Sequence, residues 1–345
     1  MIRRPLLIAA GIAASITFAP AELAAQTRLY YDQTYYPASH NWVFSKSYPR
    51  ADRLFNAFDY GHSILYETLW RDPAAKADAL DVREYDFITK RLFVSPPSVP
   101  LDESAIGPDW TRLAPEVHAM FDWAHMLHRQ LYDVLADDRM KPAAQQAEIA
   151  RLVTYYKSRP ALAFSSKPKD MDLMEGQSYS LAFRKRFPKY NGLIWSYHWM
   201  QMTIYDALMA ATSSAERKSN VTAVVDRFWS MVNGPAEGLP TVMPMSAAIA
   251  PTFSETYTEA AIIFDNLHSL HDVVSDILAN PNVPRSRKRS AILEAAKKYR
   301  DLTSNVTTVE EWRSMSAEMG LAEMGGAAPI GNRQTPKSVA PGHKH

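Results

Sequence analysis

Apolar residues recur along most of this chain at steps of three and four, the spacing that puts them on one helical face. The strict alternation of a half-buried strand is scarce. Blocks with helical spacing cover about residues 50–71, 78–93, 112–138, 142–158, 171–187, 190–212, 214–233, 253–279, 285–303 and 307–323. Start signals support several: Pro142 suits a first turn, Thr252 to Glu255 and Thr307 to Glu310 have capping-box spacing, and Ser214 precedes Glu216. Pro96, Pro97 and Pro100 open a loop that runs to Trp110, and four prolines interrupt the stretch from Gly234 to Pro251. The expected fold class is all-α: a central antiparallel or mixed four-helix bundle, from the blocks around 50–71, 112–138, 190–212 and 253–279, wrapped by the others.

Four of these blocks can be overlaid on a histidine. The segments are Phe58-Asp59-Tyr60-Gly61-His62, Phe121-Asp122-Trp123-Ala124-His125, Ile194-Trp195-Ser196-Tyr197-His198 and Phe264-Asp265-Asn266-Leu267-His268. Three of them carry Phe four positions before the His and Asp three before it. The second and fourth add His128 and His271 three residues on. Asp133, Asp206 and Asp276 each fall eight residues after their His. The four reference histidines are 63, 73 and 70 residues apart, which predicts a quasi-repeat of about 70 residues.

The faces decide what the histidines do. His118, Phe121, His125, His128, Tyr132 and Leu135 follow alternating steps of three and four, as do Ala261, Phe264, His268, His271, Ser275 and Leu278. Phe and Leu flank the imidazoles, so the rings are expected to point inward. An unmet hydrogen bond on a buried imidazole costs about 1–3 kcal/mol. Six such rings in one core would consume much of a domain's net stability of about 5–15 kcal/mol. A transition metal would satisfy them, with Asp at the i−3 position either ligating or holding the other ring nitrogen. The candidate metal-site residues are Asp59, His62, Asp122, His125, His128, His198, Asp265, His268 and His271. Ferritin-like di-iron proteins offer an analogy of layout, since they hold metals in a bundle through Glu-x-x-His pairs. The pairs here use Asp and carry an extra His.

Composition narrows the chemistry. The chain has 345 residues, 38 Lys+Arg against 37 Asp+Glu, and no Cys. The balance of charge gives no electrostatic reason to expect nucleic acid as a partner. Lack of cysteine excludes thiolate nucleophiles, covalent c-type haem, cysteine-ligated iron–sulfur clusters and blue-copper sites.

The first residues read as a targeting signal. Arg3 and Arg4 precede an apolar run from Pro5 to Pro20, and Ala24-Ala25 follow before Gln26. That order predicts a signal peptide over 1–25, cut near Ala25, and a periplasmic or secreted mature chain. The arginine pair also permits the twin-arginine route. Residues 26–324 are expected to form a single helical domain with no membrane span, and 325–345, rich in Gly, Pro and Ser, a disordered tail.

The expected function is therefore an exported helical metalloprotein with a buried His/Asp site for a first-row transition metal, iron or copper before zinc, serving oxidative or electron-transfer chemistry. Two alternatives stand beside it. One is a non-enzymatic envelope subunit with a hydrogen-bonded His/Asp core, docking a partner through the basic face 285–300. The other is a noncovalent b-type haem protein.

Overall fold

The computed structural model describes residues 38–72, 77–100 and 102–330, so the expected signal peptide and residues 331–345 lie outside it. The described chain is mostly helical, with one isolated antiparallel bridge between Lys169 and Val306. In chain order the helices are α1 (Val43–Ser47), α2 (Pro49–Arg71), α3 (Ala77–Phe87), α4 (Pro108–Leu113), α5 (Pro115–Ala136), α6 (Pro142–Lys157), α7 (Asp172–Glu175), α8 (Ala182–Arg186) and α9 (Pro188–Met209). They continue with α10 (Ser214–Val232), α11 (Ser246–Ile249), α12 (Pro251–Thr256), α13 (Thr258–Ala279), α14 (Arg285–Arg300) and α15 (Val309–Glu318). The four longest, α2, α5, α9 and α13, carry the repeated histidines. Both α2 and α5 pack on α9 and on α13; α6 and α14 cover α5, α10 covers α9 and α2, and α3 covers α9.

Each of these four helices is entered the same way. A short helix (α1, α4, α8 or α12) ends at one non-helical residue, and the long helix starts immediately after it. The linking residues are Tyr48, Ala114, Phe187 and Tyr257, with φ between −126° and −140° and ψ between 50° and 63°. Pro49, Pro115 and Pro188 explain three of the bends, because proline suits a first helical turn and disfavours helical geometry in the residue before it. Each linking residue still closes both helices. Tyr48 donates its N–H to Phe44 and accepts from Asp52, and Phe187 donates to Phe183 and accepts from Asn191.

A carboxylate from another long helix caps each short helix. Asp133 on α5 accepts from the Trp42 and Phe44 amides at 2.9 and 2.8 Å. Glu67 on α2 accepts from Asp109 and Trp110 at 2.9 and 2.8 Å. Asp276 on α13 accepts from Leu181 and Phe183, both at 2.7 Å. Asp206 on α9 accepts from Thr252 and Phe253 at 3.2 and 2.8 Å. The capping is reciprocal: α2 and α5 clasp each other's entry helices, and so do α9 and α13. A side-chain acceptor on a helix N-terminus contributes about 0.5–2 kcal/mol. These clasps also set the axial register of the long helices, and so the height at which each His projects. The three aspartates eight residues past a His therefore have an end-capping role.

Several expected boundaries move. The block 171–187 is two short helices, α7 and α8, because the chain turns through Leu181 at φ 63°, where Asp276 holds the amide. The block 253–279 breaks at Tyr257. Thr252 starts no capping box: its amide goes to Asp206. The other capping box forms one residue later than predicted, between Thr308 and Glu311. Residues 325–330, expected within the tail, are ordered against the domain, where Gly326 accepts from the Trp199 indole at 2.7 Å and Ile330 is buried.

The basic stretch 285–300 is partly spent inside the fold. Lys288 is buried, with its ammonium on the Leu278 and Asn280 carbonyls at the end of α13, and burial pulls its pKa down to about 8. Arg285 lies over the Trp70 ring, and Arg289 pairs with Glu116 at 2.7 Å. Among the described residues no helix is long and apolar enough to cross a membrane.

Candidate metal centre

All six repeated histidines are buried where the long helices meet. His62, His125 and His271 are 1% exposed, and His128, His198 and His268 are 0% exposed. Gly61 permits a close approach: a β-carbon there would lie 3.0 Å from the Tyr197 ring, so this residue lets α9 sit tight against α2 beside His62. Phe58 and Tyr197 stack across the same contact at 4.6 Å.

His62, His198 and His271 bring one ring nitrogen each within 4.8 Å of one another. Nε2 of His62 is 3.2 Å from Nε2 of His198, and Nδ1 of His271 is 3.4 Å from that same His198 nitrogen. His62 Nδ1 donates to the Phe58 carbonyl at 2.9 Å, which leaves the Nε2 lone pair facing the group. Nitrogens bound to one metal at about 2.0–2.1 Å would be roughly 3.3–3.6 Å apart in tetrahedral or trigonal geometry. The observed separations fit that spacing.

The other three rings extend the cluster. His268 stacks on His198 with centroids 4.1 Å apart, and His125 lies 5.4 Å from His271. His128 reaches His268 at 5.8 Å and exchanges a hydrogen bond with the Tyr205 hydroxyl at 2.8 Å. Seven ring nitrogens in this cluster make no hydrogen bond: both on His125, both on His268, Nε2 of His128, Nδ1 of His198 and Nε2 of His271.

The aspartates behave differently from one another. Asp59 belongs with the imidazoles: it lies 3.4 Å from His125 Nδ1 and accepts from Arg129 at 2.9 Å. Arg129 is itself buried and rests on the Phe55 ring at 4.4 Å, while also facing Asp52 at 3.6 Å. Asp122 is gathered with His118 and Glu103, not with the nitrogens of His62, His198 and His271. Asp265 is committed elsewhere: it accepts from the Ser246 amide at 3.0 Å and from the Trp312 indole at 2.8 Å, fixing α11 and α15. Glu103 and Arg129 were not singled out from the sequence. His118 and Asp122 share a helix face at i, i+4, but Glu103 comes from a loop with no periodic signal.

Burial is the first cause that lowers every one of the six imidazole pKa values, followed by neighbouring cations and rings. His62 and His125 fall to about 3, and the other four are well below the ordinary value of 6.5. The rings are therefore neutral at pH 7, the form that offers a lone pair. A depressed pKa also sets a sign. In the unfolded chain His125 protonates below about pH 6.5, whereas folded it stays neutral to about 3, so its contribution is whole above 6.5 and lost as pH falls. With a chelator present, wild type should lose about 2 kcal/mol more stability between pH 7 and pH 5 than His125→Gln. Urea unfolding at the two pH values reads this directly, and equal losses would place the His125 ring in contact with water.

Compared with known proteins, the chain matches no family model, no curated protein and no solved structure.

Proposed function

We propose that this chain is an exported, all-helical metalloprotein whose four long helices form a central bundle around one first-row transition ion. The nitrogens of His62, His198 and His271 are its ligands. The observation that carries this reading is the convergence of three buried ring nitrogens from three different helices, with His198 Nε2 lying 3.2 Å from His62 Nε2 and 3.4 Å from His271 Nδ1. Metal coordination uses the lone pairs of the trio and gives the neighbouring rings a charge to orient toward. An all-imidazole set suits iron, copper or zinc.

The surrounding residues favour oxidative or electron-transfer work over hydrolysis. The rings are sealed from solvent, and among the described residues no separate carboxylate is gathered with the trio. Tyr205 and His128 share a hydrogen bond at 2.8 Å along which a proton can pass. Asp59, braced by Arg129, holds His125 in place. A bound metal would supply the redox couple; the chain positions it, excludes water and supplies the proton relay. A macrocycle fits poorly among rings already packed with centroids 4.1–4.2 Å apart, which disfavours haem. Export follows from the Arg3-Arg4 pair, the apolar run after it and the small residues before Gln26. The recurrence of short helix, bend and long helix supports duplication of a unit of about 70 residues.

Elemental analysis and an absorption spectrum of protein purified without a His tag test the reading. The expected result is about one equivalent of iron or copper with no Soret band. A Soret band would select haem, and protein free of metal after supplementation would favour the non-enzymatic subunit.

A further inference from the structure

A second group of convergent side chains lies apart from the imidazole trio. Glu103, in the short turn Glu103–Ala105, faces His118 and Asp122 on α5. Nε2 of His118 is 3.6 Å from Oε2 of Glu103 and 3.6 Å from Oδ2 of Asp122, and one ligand atom from each residue lies within 4.8 Å of the others. The Glu103 side chain is only 4% exposed, and the contact with the His118 ring holds its carboxylate at the edge of the core. His118 and Asp122 are 15% and 16% exposed, so the group borders solvent on one side and the core on the other.

We propose that Glu103, His118 and Asp122 form a second metal site, selective for a divalent cation of the zinc class. One imidazole and two carboxylates are a common catalytic or structural set for such ions, and two carboxylates balance their charge. The field around the group points the same way. Burial raises the Glu103 and Asp122 carboxyls well above the usual range, and the other influences on them are further carboxylates, Asp59 and Asp102 among them, with no cation offsetting them. A divalent ion removes that repulsion. The oxygen-rich set separates this site from the all-nitrogen trio, and Asp59 lies between them, touching His125 on one side while its charge reaches Glu103 and Asp122 on the other.

The test is a Zn2+ titration of the full-length protein, followed by gel filtration and elemental analysis. All proteins carry His343→Ala and His345→Ala, which remove the terminal imidazoles. Glu103→Gln with Asp122→Asn should retain one equivalent of Zn2+ fewer than the parent, and its metal-free form should melt at or above the parent's temperature because buried repulsion is gone. His198→Leu with His271→Leu should keep the ion that the first variant loses, whether or not the imidazole trio binds metal. Should the carboxylate variant fold poorly, His118→Gln serves in its place with the same expected loss of one equivalent. Retention of the full parental Zn2+ by the folded variant would overturn the site.

Discussion

Replacing His198 and His271 together with leucine should abolish the bound transition metal, with affinity falling by more than about 100-fold. Loss of groups that merely orient a ligand weakens metal binding about 10–100-fold, and these two residues supply two of the three convergent nitrogens. Leucine keeps most of the ring volume, so the core need not collapse. The accompanying stability change distinguishes ligation from packing. In metal-free protein the substitution removes two unmet nitrogens, Nδ1 of His198 and Nε2 of His271, and should leave stability equal or higher. In metal-loaded protein wild type should gain about 2.7 kcal/mol at a free-metal concentration 100 times Kd, and the variant nothing. Metal content by elemental analysis, with melting temperatures taken with and without chelator, checks both halves. Undiminished metal content in the variant would remove the trio as ligands.

The inward orientation of the histidines was legible because it follows from residues on their own helices. Steps of three and four with Phe and Leu as neighbours place a ring on the packed face whatever lies opposite, and all six rings are buried. Which rings converge depends on contacts between helices, and spacing within one helix carries no such information. The i, i+3 pairs His125/His128 and His268/His271 carry the stronger spacing signal, yet the convergent trio keeps only His271 of these four and takes His62 from α2 and His198 from α9, each without a partner on its own helix. The aspartates show the same limit. Asp59, Asp122 and Asp265 share one position in the repeat, but α5 supplies Arg129 to the first, a loop supplies Glu103 to the second and Ser246 occupies the third. The broken helices had a partial signal in Pro49, Pro115 and Pro188. Tyr257 had none, because its bend is followed by threonine rather than proline.

The largest stability effect is expected at Arg129. Its guanidinium is 4% exposed and binds Asp59, whose side chain is 3% exposed, at 2.9 Å. Bringing both charges into the core costs several kcal/mol per ion before their attraction is counted, so the pair contributes little relative to apolar residues of the same shape. Removing one partner is another matter. Arg129→Met preserves the contact with Phe55 but strips Asp59 of its guanidinium, and should cost about 3–5 kcal/mol. Adding Asp59→Asn should recover most of that loss, because the charge left behind is gone. Urea unfolding of the two single variants and the double gives the coupling between them. Metal binding should respond in a different pattern. Asp59 lies against His125, which is outside the trio, so Asp59→Asn should alter affinity by no more than the 10–100-fold expected of a residue that orients a neighbour, while His198→Leu with His271→Leu abolishes it. Additive stability losses for Arg129→Met and Asp59→Asn would mean the two side chains act independently, and that the ion pair does not hold His125 in place.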